Sequence, residues 1–402
     1  MRKLLLMQRK KVIIYSLHLP LGSNNVILFI YFLLIATFAL YSYSLLDPNI
    51  TLINHNIWES FRNIMVNFGY YHRQESFLVF IILSIGLILL HIKITQHKKI
   101  NPIHIALISS CVLLFSYPFL SHDLFNYMFD ARIVTLYGKS PYLFKALDFP
   151  HDEWLRFMHW THRTYPYGPA FLPITIIVSF FSFSKLILNL LLFKFLFIIF
   201  YFASVYVLKQ KNTTWALFFA SHPLIIIEGL VNNHNDFIAL SLGIIGIYFL
   251  GKKKKLYGRI FTLLSGGIKY ITLPLIFLYN LDSKEKSRYR VIVIFLSTLA
   301  LIGYISFSST PQPWYFLNLL VFLPLLPHII KRTSIITFAL LLSYYPYIAL
   351  GGWDTKEKVM MKTVIIYSGV IINIMVLMFL KSLLSKKGEI KKYSERIYLR
   401  MK

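Results

Sequence analysis

Cysteine and acidic residues are scarce in this sequence. Among 402 residues there are 16 Asp and Glu against 42 Lys and Arg, and the single cysteine, Cys111, has no partner in the chain. One cysteine excludes both an intramolecular disulfide and a Cys-rich metal centre. Charge as a whole is thin: 14% of residues are charged, where soluble domains carry roughly 25%. With 57% hydrophobic residues and a mean hydropathy of +0.62, a soluble enzyme is excluded as well. The formal net charge of +26 would suggest nucleic acid in a soluble chain. Here it is assigned to membrane topology, and no nucleic-acid partner is expected. Heavy use of Lys, Ile, Phe and Asn points to a compositional bias, so where the basic residues sit matters more than how many there are. No small-residue cleavage site follows Arg2, Lys3, Arg9, Lys10 and Lys11, so residues 1–25 read as a retained cytoplasmic end. No internal repeat is evident.

What the sequence does hold is apolar runs of spanning length, about 20 residues each. They fall at 26–46, 76–95, 103–120, 186–208, 214–231, 237–251, 260–280, 290–309, 315–330, 334–350 and 363–383, with a weaker run at 169–183 that carries Pro169 and Pro173. Basic clusters at 2–11, 97–99, 209–211, 252–255, 284–290, 331–332 and 386–402 are placed in the cytoplasm. They fit one side together if 169–183 and 260–280, with Gly266 and Gly267, are broken or re-entrant. The expectation is an all-α polytopic membrane protein with about ten full spans. Its parts are a basic end (1–25), N-terminal helices (26–120), an external loop (121–168), a membrane region with external polar turns (169–383) and a basic cytoplasmic tail (384–402).

Polar residues concentrate in three places. In the loop 121–168, a helix opening at Asp123 puts Asp123, Asn126, Tyr127 and Asp130 on one face. The plain alternative makes Asp123 an N-cap and Asp130 a partner for Arg132 or Arg156. Trp154, Phe157, Met158 and Trp160 predict an amphipathic helix on the bilayer surface. His159 and His162, with His151, lack a positioned third ligand and read as headgroup contacts rather than a metal site. The second place is 228–236, Glu228 to Asp236. Glu228 falls in the apolar part of a span, where an ionisable group is expensive and a functional candidate. His234 and Asp236 suit a sugar hydroxyl or phosphate, or a divalent cation shared with Glu228. Third, Lys269 follows the Gly266-Gly267 pair and either snorkels or meets an anion such as a lipid phosphate. Trp314, in 311–315, either belongs to an interfacial aromatic belt or offers a flat surface for a sugar ring.

Taken in order, these motifs form a pattern. Asp123 with Tyr127 and Arg132, the turn from Gly138 through Ser140 to Tyr142, the segment from Tyr165 through Tyr167 to Pro169, His234-Asn235-Asp236, Gly267-Ile268-Lys269-Tyr270 and Gln312-Pro313-Trp314-Tyr315 follow one another along half of the chain. The sequence resembles the GT-C-type membrane glycosyltransferases that use polyprenyl-phosphate sugars, most closely the mannosyltransferase-like ones. It departs from them at Ser140, where the family usually has Asn before Pro-Tyr, and at 165–169, where a Tyr-Pro-Pro-Leu type segment is usual. The resemblance implies a GT-C-like bundle of about 10–12 transmembrane helices with a long external first catalytic loop. It implies Asp123 as general base, with substrate held by Tyr127, Asp130, Arg132, Tyr142, Tyr165, Tyr167, His234, Asp236, Lys269, Tyr270, Trp314 and Tyr315, and with support from Glu228. The implied partners are a polyprenyl-phosphate hexose donor, mannose foremost, a glycan or glycolipid acceptor, and membrane lipids. The implied location is a cell membrane, crossed many times, with the active site on the external face.

The chemistry follows independently of the family. Transfer needs a base for the acceptor hydroxyl proton and stabilisation of the departing lipid phosphate. Lys269, Arg132 and His234 are candidates for the second task. No cofactor is obligatory, which leaves room for a divalent cation without requiring one. The competing readings are a transporter or flippase of lipid-linked sugars, which predicts functional charges through the bilayer, and a polysaccharide ligase or polymerase.

Overall fold

The computed structural model describes residues 24–400 apart from 51, 98, 280 and 282–284, and no strand occurs among the described residues. Residues 1–23 of the expected basic end, Lys284 of the run before Arg290, and 401–402 of the tail lie outside them. The helices are α1 (Asn24–Tyr41), α2 (Asn56–Tyr71), α3 (Arg73–Gln96), α4 (Pro102–Leu113), α5 (Asp123–Thr135), α6 (Phe171–Phe181), α7 (Leu186–Lys209) and α8 (Thr213–Ser221). After a π-helical turn at Ile225–Val231 come α9 (Asn235–Gly251), α10 (Lys255–Ile268), a 3-10 segment (Tyr270–Phe277), α11 (Glu285–Ser308) and a second 3-10 segment (Pro313–Phe322). The chain closes with α12 (Pro327–Ile330), α13 (Ser334–Leu342), α14 (Tyr345–Ala349) and α15 (Lys356–Arg400).

Five of these are long and apolar enough to cross a membrane: Asn24–Leu45, Arg73–Gln96, Leu186–Lys209, Ser287–Ser308 and Lys356–Phe379. A sixth forms if α8 and the π-helical turn, bent by 65°, make one broken span. The chain is a multi-pass membrane protein. Where run length alone predicts about ten unbroken spans, the remaining apolar runs are shorter helices, and proline accounts for most of the difference. A proline has no N–H to donate and pushes the residue before it out of helical geometry. Pro118 follows the end of α4, Pro223 sits at the 65° bend, Pro324 and Pro327 divide the run 315–330, and Pro346 lies at the junction of α13 and α14. In the run 260–280 the helix stops just after Gly266 and Gly267, with Lys269 in extended backbone.

The centre of the bundle is α9, buried from Asn235 to Ile247 and packed on α7, α10 and the Pro313–Phe322 segment. Its glycines let a neighbour approach, as membrane helix contacts require. A Cβ on Gly246 would lie 2.8 Å from Thr262 Cγ2, and Ser265 Oγ of α10 donates to Ala239 O of α9 at 2.7 Å.

Residues 121–168 fold as a cap opened by α5. The bilayer-surface helix expected around Trp154 is instead a five-residue 3-10 turn, Glu153–Phe157, with Trp154, Phe157 and Met158 buried and only Trp160 exposed. Asp152 explains the change. Its Oδ1 accepts from Trp154 N at 2.8 Å, while its Oδ2 accepts from Arg132 Nε and Tyr137 Oη, both at 2.7 Å, drawing the segment inward. Helix α2 has no counterpart among the apolar runs. His55 Nδ1 caps it by accepting from Ile57 N at 3.2 Å, and Glu59 and Arg62 dilute its hydropathy.

Candidate active site

The site is built where the first turn of α5 meets the turn between the bent span and α9. The span breaks at Pro223, and the π-helical turn that follows carries Glu228 with its side chain wholly buried. Tyr344 Oη donates to its Oε1 at 2.9 Å and Oε2 at 3.1 Å, and Asn232 Nδ2 donates to Oε2 at 3.2 Å. The end of this turn is held by Lys194 from the middle of α7. Its ammonium donates to Leu230 O, Val231 O and Asn233 Oδ1 at 3.1, 3.3 and 3.0 Å, which uses all three of its protons. Asn233 has φ of +58°, a left-handed geometry that asparagine tolerates.

That reversal presents His234 between two carboxylates. Its Nε2 lies 3.5 Å from Glu228 Oε2 and its Nδ1 lies 3.3 Å from Asp123 Oδ2. One ring face stacks on Trp314 at 4.0 Å between centroids. Asp123 is the open member of the row: 15% of its side chain is exposed, while His234 and Glu228 are sealed. Its carboxylate is turned to the histidine, so the plain alternative of a helix cap does not hold; its own N–H donates to Ser121 Oγ at 3.2 Å. Burial pushes the Asp123 carboxyl up, but His234, Lys269 and Arg163 together outweigh burial and hold it below the usual carboxylate value.

Beside this row, Asp236 in the first turn of α9 is fixed from two directions. Lys269 Nζ lies 2.6 Å from its Oδ2, and Asn318 Nδ2 donates to its Oδ1 at 2.7 Å. The ammonium also sits 5.4 Å from the centre of the Tyr315 ring. Lys269 thus neither snorkels nor stands free. Tyr127 joins the cluster from α5, where Asn235 N donates to its Oη at 3.2 Å.

A second group lies next to it. Tyr127 packs edge-on to Tyr167 at 4.8 Å, Tyr167 to Tyr165 at 5.3 Å, and Tyr165 to Tyr142 at 5.2 Å. Residues 165–169 dock on the Gly266-Gly267 break: Ala170 N donates to Gly267 O at 3.1 Å, and a Cβ on Gly168 would stand 2.1 Å from that oxygen. Asp130 and Tyr167 line a small pocket with Asn126 and Arg163. Burial raises the Asp130 carboxyl to about 8, against the pull of Arg163. Asp130 is therefore no partner for Arg132 or Arg156; Arg132 is paired with Asp152 at 2.7 Å and lies 4.1 Å over the Trp154 ring.

The structure thus gathers Asp123, Tyr127, Glu228, His234, Asp236, Lys269, Trp314 and Tyr315, and sets Asp130, Tyr142, Tyr165 and Tyr167 alongside. Tyr270 is exposed at the rim, and Arg132 is kept within the cap. His159 stacks on His122 at 3.7 Å, away from the i, i+3 pairing with His162. Among the described residues no three His, Cys, Asp or Glu are grouped as metal ligands. Sequence reasoning missed Lys194, Tyr344 and Asn318. Lys194 was discoverable, because a lysine in a 24-residue apolar span raises the same question as Glu228. Tyr344 and Asn318 gave no such signal.

No curated protein and no solved structure matches the chain. Residues 61–281, more than half of it, match the family described as alpha-(1->6)-mannopyranosyltransferase, N-terminal domain. That stretch holds Asp123, Lys194, Glu228, His234, Asp236 and Lys269. The chain therefore belongs to this mannopyranosyltransferase family and is a membrane glycosyltransferase of the mannosyl-transferring kind.

Proposed function

We propose that the protein transfers mannose from a polyprenyl-phosphate donor to a hydroxyl of a glycan or glycolipid acceptor on the external face of the membrane, with Asp123 as the base. One observation carries this: Asp123 is the solvent-open end of a row whose other members, His234 and Glu228, are buried. A carboxylate held in its ionised form beside an otherwise sealed cluster can accept a proton where an acceptor arrives from water. The cytoplasmic assignment of 209–211, 252–255 and 331–332 supports the external side.

In the transfer, the acceptor oxygen forms its bond to the sugar C1 as its proton passes to Asp123. The bond from C1 to the phosphate oxygen breaks, and its electron pair leaves with the polyprenyl phosphate. His234 steadies the Asp123 carboxylate, and Glu228, gripped by Tyr344 and Asn232, steadies His234 in turn. Lys269, with 21% of its side chain exposed, adds positive charge at the rim. In this reading Lys269, though paired with Asp236, is the side-chain cation that faces the leaving phosphate, and no divalent cation is called for. Trp314, already covered on one face by His234, is the wall against which a sugar ring packs.

The test is transfer by purified protein from synthetic polyprenyl-phosphate mannose and, in parallel, from a nucleotide-linked mannose, with and without chelator. The expected result is transfer from the lipid donor alone, unchanged by chelator. Transfer from the nucleotide sugar, or none from either, would overturn the donor assignment.

A further inference from the structure

The two ends of α9 lie in different surroundings. Its first residues, Asn235 and Asp236, belong to the active site, while its last, Gly251, borders a cavity of about 200 Å³ roughly 20 Å away along the helix. Val207 and Leu208, the last apolar residues of the spanning helix α7, line this cavity together with Ile244 of α9. Lys211, just past that span, lines it too, with Trp215 and Tyr248. The cavity therefore sits at the boundary between hydrocarbon and water, with apolar walls from the span and a basic rim from the loop beyond it.

Positive charge converges on that rim. Lys211 Nζ and Lys252 Nζ stand 5.9 and 5.8 Å from the centre of the same Tyr248 ring. Two like charges gathered on one ring repel each other, and among the described residues neither has a carboxylate within ion-pair distance. Gly251 leaves the space that Lys211 crosses: a Cβ there would lie 3.5 Å from its Nζ. In the turn that follows, Lys253 has φ of +61°, a geometry in which glycine or asparagine is the ordinary residue. The turn nonetheless reads lysine without a break from Lys252 to Lys255, so charge is concentrated here against the local backbone preference.

We propose that this cavity binds an anionic glycerophospholipid of the membrane. Its phosphate meets the Lys211 and Lys252 ammoniums, and its acyl chains start along Val207 and Ile244. Basic pockets between spans on the cytoplasmic side suit anionic headgroups, and the positive-inside rule assigns 209–211 and 252–255 to that side. The site stands apart from the mannosyl-transfer reading, because it lies at the far end of α9 from the Asp123 row and involves no sugar.

Trp215, on the cavity wall, is the reporter for the test. The full-length protein is reconstituted in phosphatidylcholine vesicles, and phosphatidylglycerol or phosphatidylcholine with brominated chains replaces the carrier lipid stepwise. The Trp215 signal is the difference in fluorescence between each protein and its Trp215→Phe counterpart. In wild type, half-quenching should need at least about fivefold less brominated phosphatidylglycerol than brominated phosphatidylcholine, as two lysines beside an anionic headgroup allow. The double variant Lys211→Gln, Lys252→Gln should be quenched alike by both lipids, and its quenching by phosphatidylcholine shows that the cavity still admits lipid. Arg332→Gln removes a basic charge assigned to the same side but outside the cavity, and should keep the preference. No preference in wild type, a preference that survives in the double variant, or one lost equally in Arg332→Gln would overturn the site. A preference abolished by inorganic phosphate, but not by chloride at the same ionic strength, would assign the cations to a soluble anion and overturn it as well.

Discussion

Lys269 and Asp236 form the tightest ion pair in the cluster, at 2.6 Å, a strut that fixes the first turn of α9. Lys269→Met leaves the Asp236 carboxylate fully buried with Asn318 as its remaining side-chain partner. Removing one partner of a buried pair costs about 3–5 kcal/mol, because the other charge is left uncompensated. The Lys269 side chain is 21% exposed, and water can reach that edge once the ammonium is gone. The cost therefore falls at the lower end, about 3 kcal/mol. Adding Asp236→Asn to Lys269→Met removes the orphaned charge and keeps an amide for Asn318, so the double variant should return to within about 1 kcal/mol of wild type. Unfolding free energies from SDS titration in mixed micelles measure all three. A single variant costing under about 1 kcal/mol, or a double variant no more stable than Lys269→Met, would refute the strut.

Three more outcomes follow from the cap and its neighbours. The Asp123 carboxyl is held low, so the base is ionised over the whole neutral range, and transfer should fall only as pH drops through or below the ordinary carboxylate range; Arg163→Gln should move that acid limb upward in a pH–rate profile. Asp130 behaves oppositely: with its carboxyl raised to about 8, the folded state keeps a proton that the unfolded chain loses above its ordinary value of 3.8. Stability should decline as pH rises between those values, and Asp130→Asn should flatten the decline in melts recorded across pH. Gly168→Ala should destabilise by about 1–3 kcal/mol, because the new methyl meets backbone at Gly267 rather than a side chain that can turn away. A thermal shift in detergent reads this, and an unshifted variant would contradict the docking of 165–169 on the glycine break.

Much of the fold was legible in the sequence, because spanning helices and intramembrane charges leave strong local signals. Hydropathy marks α3 and α7 almost to the residue, and the rule that ionisable groups in apolar runs are functional candidates finds Glu228. Asp123, Tyr127 and Asp130 fall on one helix as their spacing indicates. What stays hidden is anything decided by tertiary pairing. Arg132 looks like a substrate ligand until Asp152 claims it, and Trp154 looks amphipathic until the same carboxylate draws its backbone inward. Tyr344 and Asn318 are ordinary residues in apolar runs, and only the fold brings them to Glu228 and Asp236. Several apolar runs come out as shorter helices, because a hydropathy window sums across Pro118, Pro324 and the turn before Pro346, where the backbone leaves regular helical geometry.

The central claim is that Asp123 accepts the acceptor's proton, and Asp123→Asn tests it most directly. The amide keeps the size of the side chain but cannot take the proton. Transfer of labelled mannose from polyprenyl-phosphate mannose is measured in membranes holding equal amounts of correctly inserted wild type or variant. The account predicts a loss of roughly 10²–10⁴-fold in rate, the usual contribution of a positioned acid or base. A variant that transfers mannose at the wild-type rate would contradict the account, and the proton would need another destination.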